Sequence, residues 1–341
     1  MTRSRDVADT QDNLGGAVAP FVAGKNKIIN GAFDIWQRGT SGTIAAGSYV
    51  AADRWYTYRN TTGSTFSRQS ASLTGFQYSG RIARDSGNTA TANISLGQSI
   101  ESINSIPFAG QTVVLSFWAK AGANFSATSS ILRARLLSST TTDQNIVLNG
   151  GTTVIDQNVT LTTSWQRFSY TAAVGSTALT LGNIFSYDPT GTAGAADNFE
   201  VTGVQLELGS VATPFTTASG SIGGELALCQ RYYYRVNNES GAGSLLAGFG
   251  SCDGTTIADI LVPFPVTMRV SPTALDQAQA RIYNLSNGTN YSGGTWTLAG
   301  GNAFFGGARY THGSGVFTSG SGVKATSSGS GSAYLGFSAE L

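Results

Sequence analysis

Few side chains in this chain can do covalent or acid–base chemistry. His312 is the only histidine, set in the Gly-rich stretch YTHGSG with no cysteine or carboxylate beside it. An isolated imidazole lacks both the nucleophile and the orienting acid that acyl transfer requires. No nucleophile elbow, phosphate loop or zinc-ligand spacing is present. Glycoside cleavage needs only two well-placed carboxylates, for which Glu101, Glu200 and Glu207 are the acids to consider. Glu207 alternates with Leu206 and Leu208, the pattern of an outward strand position. The aromatics offer a different chemistry, because the C–H face of a sugar ring packs on an aromatic face with polar groups around it. In DRWYTYR, alternation puts Tyr56 and Tyr58 on one strand face and Trp55 on the other. Trp296, Phe304, Phe305 and Tyr310 form a second aromatic group. The candidates for saccharide contact are therefore Trp55, Tyr58, Trp296 and Tyr310, with Asp188 and Asn198 as polar partners and Asp53 and Arg54 beside them. Trp36, Phe117 and Trp165 read as packing residues on core strands.

Two further groups ask for a role. Three consecutive tyrosines, Tyr232, Tyr233 and Tyr234, put large amphipathic area on both faces of one strand. One face can meet a domain core and the other a sister subunit, since tyrosine is favoured at interfaces. The alternative is a strand buried on both faces within one subunit. Cys229 and Cys252 are too few for a disulfide scaffold and read as two reduced thiols, with a bond between neighbouring strands as the alternative.

The elements that position these groups follow from composition. The chain has 341 residues, enough for two domains, with 44 glycines and only 11% charged residues. Lysine occurs four times, and the net charge is +1. A near-neutral chain without a basic stripe is a poor partner for nucleic acid. No run of 18 apolar residues is present, so no membrane insertion is expected. The opening MTRSRDVADTQDN lacks the apolar core of a secretory signal. Gly, Ser and Thr disfavour helix interiors while Tyr, Phe, Thr and Val suit strands, which predicts an all-β protein with many turns.

Residues 1–26 carry little hydrophobic pattern and read as an extended N-terminal arm. Residues 27–216 read as short strands separated by Gly/Ser/Thr/Asn turns. In VVLSFWAK, Val113, Leu115, Phe117 and Ala119 share one face, with Trp118 and Lys120 on the other. In ILRARLLSS, Leu132, Ala134 and Leu136 point inward and Arg133 and Arg135 outward. Gly203 interrupts NFEVTGVQLEL, which marks a bulge. The expected result is two packed antiparallel sheets of about eight strands, a jelly-roll β-sandwich. Residues 217–228 read as a linker with a short helical or irregular turn. Residues 229–341 read as a smaller C-terminal β-sandwich domain, with a hairpin tip at 327–332. No repeat at a fixed period and no heptad run is visible.

Ordered landmarks within 27–216 resemble the carbohydrate-binding, galactose-binding-like jelly-roll family. They are Asn30-Gly31-x-Phe33-Asp34-x-Trp36, Gly80-Arg81-Ile82, Gln98-Ser99-Ile100, Gly110 with Leu115–Lys120, Leu161–Arg167 and Val204-Gln205-Leu206-Glu207. Across nearly the whole chain, NKIINGAFDIWQRG, AADRWY, VQLELGSVATPF, ELALCQRYYYR, PFPVTMRVSPT and the closing AEL resemble tail-fibre and related virion fibre proteins of bacteriophages. The opening SRDVADTQDN resembles their short virion-docking arm.

The resemblance implies a non-enzymatic structural protein of the phage particle, assembled in the host cytoplasm. It implies a homotrimer joined to other virion proteins through residues 1–26 and meeting host cell-surface glycan through receptor-facing modules. A purely architectural head-decoration or tail-joining fibre is the rival reading, and a polysaccharide depolymerase a further one. Relatives with this jelly roll hold a structural calcium ion, which implies Asp34 as a ligand. The family's closing acidic pair is replaced here by Thr202 and Gly203, leaving Asp197 and Asp188 to compensate. No other cofactor is expected.

Overall fold

The structure is a computed structural model and describes residues 23–237, 245–327 and 333–341. The chain divides into two compact units between Leu226 and Ala227.

Among the described residues the first unit contains eleven strands: β1 (Ser41–Thr43), β2 (Tyr56–Arg59), β3 (Ser64–Leu73), β4 (Phe76–Arg84), β5 (Ile94–Ile100), β6 (Thr112–Ala121), β7 (Ile131–Ser139), β8 (Thr152–Thr160), β9 (Gln166–Ala173), β10 (Thr180–Tyr187) and β11 (Asn198–Leu208). A six-stranded sheet runs β1-β3-β4-β11-β6-β9 and a five-stranded sheet runs β2-β5-β10-β7-β8. Neighbouring strands are antiparallel, as in a jelly roll. Their inner faces meet in one apolar core that includes Phe66, Leu96, Leu115, Phe117, Leu132, Leu136, Phe185 and Phe199. The alternation in β6 and β7 holds: Val113, Leu115, Phe117 and Ala119 are buried, as are Leu132, Ala134 and Leu136. The register of β11 against β6 shifts between Thr202 and Gln205. Gly203 sits there at φ +61°, and a Cβ on it would stand 2.6 Å from the Phe76 ring. Only glycine meets both demands. Two short helices, α1 (Ser102–Ser105) and α2 (Ile146–Asn149), lie in the connections.

The described end of the expected arm, 23–26, belongs to this sandwich. Asn26 is buried and makes four hydrogen bonds. Its Nδ2 donates to Val204 O (3.0 Å) and Thr216 O (3.0 Å). Its Oδ1 accepts from Ile28 N (2.9 Å) and Leu206 N (3.1 Å). The arm boundary therefore moves to before Gly24, whose N–H donates to Ala218 O at 2.7 Å. The rest of the arm lies outside the described residues. Asn26→Ala strips partners from buried backbone groups beside the bulge and is expected to lower stability by about 2–3 kcal/mol. Urea denaturation checks this, and a loss under about 0.5 kcal/mol would refute it.

Helix α3 (Ile222–Gln230) occupies the segment read as a linker. Among the described residues the second unit has ten strands: β12 (Tyr233–Asn237), β13 (Leu245–Asp253), β14 (Ile257–Pro263), β15 (Ala274–Ala278), β16 (Ala280–Asn284), β17 (Thr289–Tyr291), β18 (Thr295–Asn302), β19 (Phe305–Thr311), β20 (Gly322–Ser327) and β21 (Tyr334–Ser338). They form a three-stranded sheet, β12-β21-β15, and a seven-stranded sheet, β17-β16-β20-β13-β14-β19-β18. One core of small and aromatic residues joins them, among them Ile260, Ala308, Tyr310, Val323, Leu335 and Phe337. Residues 328–332 of the expected hairpin tip lie outside the described residues.

Two of the three tyrosines are not available as an oligomer surface. Tyr232 and Tyr233 are each 1% exposed, buried by this chain alone. The Tyr233 hydroxyl donates to Asp276 Oδ2 at 2.9 Å. Tyr234 packs half-buried against Phe264. Tyr232 and Tyr233 are thus buried within one subunit, whereas Tyr234, Arg235 and Val236 of β12 are half-buried. Cys229 and Cys252 are buried thiols with no disulfide between them. Burial pushes the Cys252 thiol up.

Candidate functional site

Strand register aligns outward side chains in rows across the five-stranded sheet. One row is Tyr58, Ser95, Ser186, Arg133 and Asn158; the next is Tyr56, Gly97, Ile184, Arg135 and Asp156. Small residues thus floor the centre of the sheet, with tyrosines on β2 and polar groups on β7 and β8.

Helix α2 fills part of this trough. A Cβ on Gly97 would stand 2.8 Å from Val147 Cγ2, and one on Gly182 would stand 2.7 Å from Ile146 Cβ. The helix is held by its own cap, since Asn145 Oδ1 accepts from Leu148 N (3.1 Å) and Ser99 Oγ accepts from Ile146 N (2.8 Å). Tyr56, Leu137, Ile146, Val147 and Ile184 form an apolar cluster over that part, with Tyr58 packed against it.

The β7–β8 side remains open as a groove of about 660 Å³, lined by Asn93, Thr128, Ile131, Arg133, Arg135, Asp156, Asn158, Ser186 and Asp188 with Ala127 and Tyr187. The Tyr187 ring turns inward against Phe125 and Phe199. Arg133 grips Asp156 with two prongs: Nε donates to Oδ1 at 2.7 Å and Nη2 to Oδ2. That pairing raises the Arg133 pKa and lowers that of Asp156. Arg135 differs from its neighbour. Its Nε is buried and makes no hydrogen bond among the described residues. Burial first, and then the charge of Arg133, lower its pKa. Across the groove, Asn93 Nδ2 donates to Asp188 Oδ1 at 2.8 Å and to Tyr187 O at 3.2 Å. Planar donors and acceptors face open space here, which is what binding a hydroxylated ligand requires.

Of the residues proposed from sequence, Asp188 lines this groove and Tyr58 shares a row with its floor. The others lie elsewhere. Trp55 is fully buried, stacked on Phe33 at 4.6 Å, with Nε1 donating to Asn30 O at 2.9 Å. Its face is unavailable to a sugar because the NGAF turn occupies it. Asn198 is buried on β11 of the other sheet. Trp296 and Tyr310 are core residues of the second unit, edge to face at 5.2 Å. Tyr310 directs its hydroxyl to accept from Gly294 N at 2.8 Å. Asp53 is buried and accepts from Gln37 N, while Arg54 is buried and donates to Ser99 O. Alternation placed Arg133 and Arg135 outward, but nothing in the sequence marked Asp156, Asn158 and Ser186 as their neighbours. A register match between β7 and β8 is the signal that joins them.

The residues do not fit the calcium site that the resemblance implies. Asp197 Oδ2 accepts from Arg84 Nε at 2.7 Å and from Ser126 Oγ at 2.8 Å, and its Oδ1 accepts from Ser126 N. A guanidinium thus stands where a cation would. Thr202 gives its hydroxyl to Tyr78 O. No group of three or more histidine, cysteine, aspartate or glutamate side chains gathers among the described residues.

Burial, and then the nearby Glu225, raise the Asp34 pKa from 3.8 to about 6. With the folded-state value raised, the folded chain binds the proton more tightly than the unfolded chain. Asp34 therefore disfavours the folded state increasingly as pH rises from about 4 to about 6, and constantly above that. Asp34→Asn is expected to raise stability near neutral pH by about 1–2 kcal/mol after allowance for solvent screening, with little change at pH about 4. Denaturant titrations at both pH values test it; an equal effect at both would refute the electrostatic cause.

Two of the three acids considered for cleavage, Glu200 and Glu207, are engaged in structure. Glu200 accepts from Ser79 Oγ and from Arg81, with Lys120 Nζ at 3.4 Å. Glu207 accepts from Gln205 and Thr213, with Lys25 at 3.3 Å.

No family model and no curated protein matches the chain. Among solved structures, it is similar to one described as CBM4 structure and function, at 20% identity over 53% of this chain and 98% of that one, TM-score 0.33. It is similar to a CBM22-1 xylan-binding domain from Paenibacillus barcinonensis at 13% identity over 50% of this chain and 94% of that one, TM-score 0.29. It is also similar to the enzymatically active domain of tailspike protein 4 of bacteriophage CBA120, at 16% identity and TM-score 0.31. That likeness covers 54% of this chain and 21% of the tailspike chain. No helix among the described residues is long and apolar enough to cross a membrane.

Proposed function

We propose that this chain binds saccharides without cleaving them, through the groove on the outer face of the five-stranded sheet. The observation that carries the reading is an open space of about 660 Å³ lined by arginine, asparagine, aspartate and serine side chains on a rigid sheet. Strands hold such groups more firmly than loops do. Binding without cleavage is supported by the groove's own carboxylates, since Asp156 is committed to Arg133 and Asp188 accepts from Asn93.

The resemblance to virion fibre proteins extends this reading to the whole molecule: a bacteriophage tail fibre, homotrimeric, attached to the particle through its N-terminal arm and meeting host glycans. Weak sites repeated in an oligomer bind a cell surface tightly through effective concentration. The N-terminal segment is testable alone. A chain lacking residues 1–22 is expected to fold and yet fail to join particles.

The saccharide reading is tested by glycan-array and calorimetric binding of the full chain, beside Asn158→Ala. The variant is expected to weaken binding about tenfold while shifting stability by under about 1 kcal/mol, because the side chain stands on the sheet's edge strand. Binding that the variant leaves intact would place the site elsewhere. Absence of binding to any saccharide would leave the architectural role in its place.

A further inference from the structure

We propose that the groove takes an acidic saccharide, with the ligand's carboxylate paired to Arg135. This rests on the saccharide reading above and names the class of sugar.

Among the described residues the groove lacks an aromatic platform: Tyr187 turns its ring into the core, Tyr56 belongs to the apolar cluster with α2, and Tyr58 packs against it. A ligand held here is recognised by hydrogen bonds and charge, where neutral sugars gain most from stacking. The charges are unevenly placed. Asp156 is the cross-strand partner of Arg135, yet both its oxygens turn to Arg133. Asp188 turns to the Asn93 amide. Arg135 is left half-buried with Nε shielded from water and donating to nothing among the described residues. The like charge of Arg133 two residues away adds to the unmet demand. A ligand carboxylate meets the planar guanidinium from the groove side and neutralises the second positive charge. Asn158 and Ser186, in the adjoining row, are placed to meet ring hydroxyls. Two arginines and two aspartates line the groove, so preference for an acid arises from local pairing and not from a net positive field.

The test uses the full chain and two matched pairs of probes: a short oligogalacturonate with its carboxyl-reduced counterpart, and sialyllactose with lactose. At least one acidic member is expected to bind about tenfold or more tightly than its neutral partner. Arg135→Gln is expected to abolish that margin while leaving thermal unfolding unchanged or raised, because it removes a buried donor without a partner. Arg135→Lys keeps the charge without the fork and is expected to retain only part of the margin. Neutral partners bound as well as the acids would overturn the acidic class and leave the saccharide reading standing. A margin that survives Arg135→Gln would overturn the assignment to Arg135. Failure of every sugar, acidic or neutral, would overturn both.

Discussion

Replacing Arg84 with alanine is expected to lower stability by about 3–5 kcal/mol, enough to leave a marginal domain partly unfolded. The guanidinium is wholly buried with Asp197. Nε donates to Asp197 Oδ2 at 2.7 Å, Nη1 to Ala90 O and Gly191 O at 3.0 Å each, and Nη2 to Thr190 O at 3.1 Å. One carboxylate and three carbonyls converge on it as they would on a metal ion. Truncation leaves a buried carboxylate without its cation and three carbonyls without donors. The damage extends to the groove, because Ser126 bonds both Asp197 and Thr190. The segments that carry Ala127, Thr128 and Asp188 are tied through this hub. Urea denaturation of Arg84→Ala measures the loss. A companion Arg84→Met/Asp197→Leu chain removes both charges and is expected to recover much of it, since apolar replacement of a whole buried pair is often close to neutral. A single variant within about 1 kcal/mol of the parent would show that the pair is not the hub.

Trp55→Ala is expected to cost about 3–5 kcal/mol through cavity formation alone. The indole is 0% exposed, lies 20° from parallel on Phe33, and gives its N–H to Asn30 O. Asn30 itself holds a left-handed turn at φ +57°, with its amide donating to Ile35 O and Asp53 O. Trp55 thus packs the turn that starts the sandwich. Trp55→Phe keeps most of the volume and loses the N–H bond, so it is expected to cost roughly half as much. The distinction from a sugar platform is sharp. A platform tryptophan changed to alanine loses ligand at constant melting temperature; Trp55→Ala is expected to lower the melting temperature and to weaken binding only as far as the chain unfolds. Unchanged thermal stability would return Trp55 to the ligand site.

The landmarks that make the chain resemble carbohydrate-binding jelly rolls have structural jobs in it. Asn30 and Phe33 form a turn, Gln98 clasps the backbone of Ile29 through both ends of its amide, and Gln205 and Glu207 tie down Thr213 and Thr216. Such motifs identify a scaffold, and the proposed groove is lined by positions between them. That is why strong sequence landmarks and the groove residues do not coincide.

Period-two alternation was legible wherever one strand face is buried, because the pleat sends successive side chains to opposite sides. It placed the core residues of β6 and β7 and the outward arginines correctly, and a glycine in mid-strand at position 203 marked the bulge. Alternation could not say which outward face is open. Trp55 and Tyr310 satisfy the pattern of a strand edge, yet burial is decided by what packs on top, here the NGAF turn and the second core. The groove depends on residues 93, 133, 156 and 186, which are far apart along the chain and become neighbours only through the order β5-β10-β7-β8. The amino-acid sequence alone determined the fold class, the inward faces and the bulge, since these are local consequences of side-chain size and backbone freedom. Tertiary structure alone decided which arginine has a partner, that Arg84 fills a cation's place, and which half of the trough α2 leaves open, because strand register and the seating of one helical turn are set by contacts between distant segments.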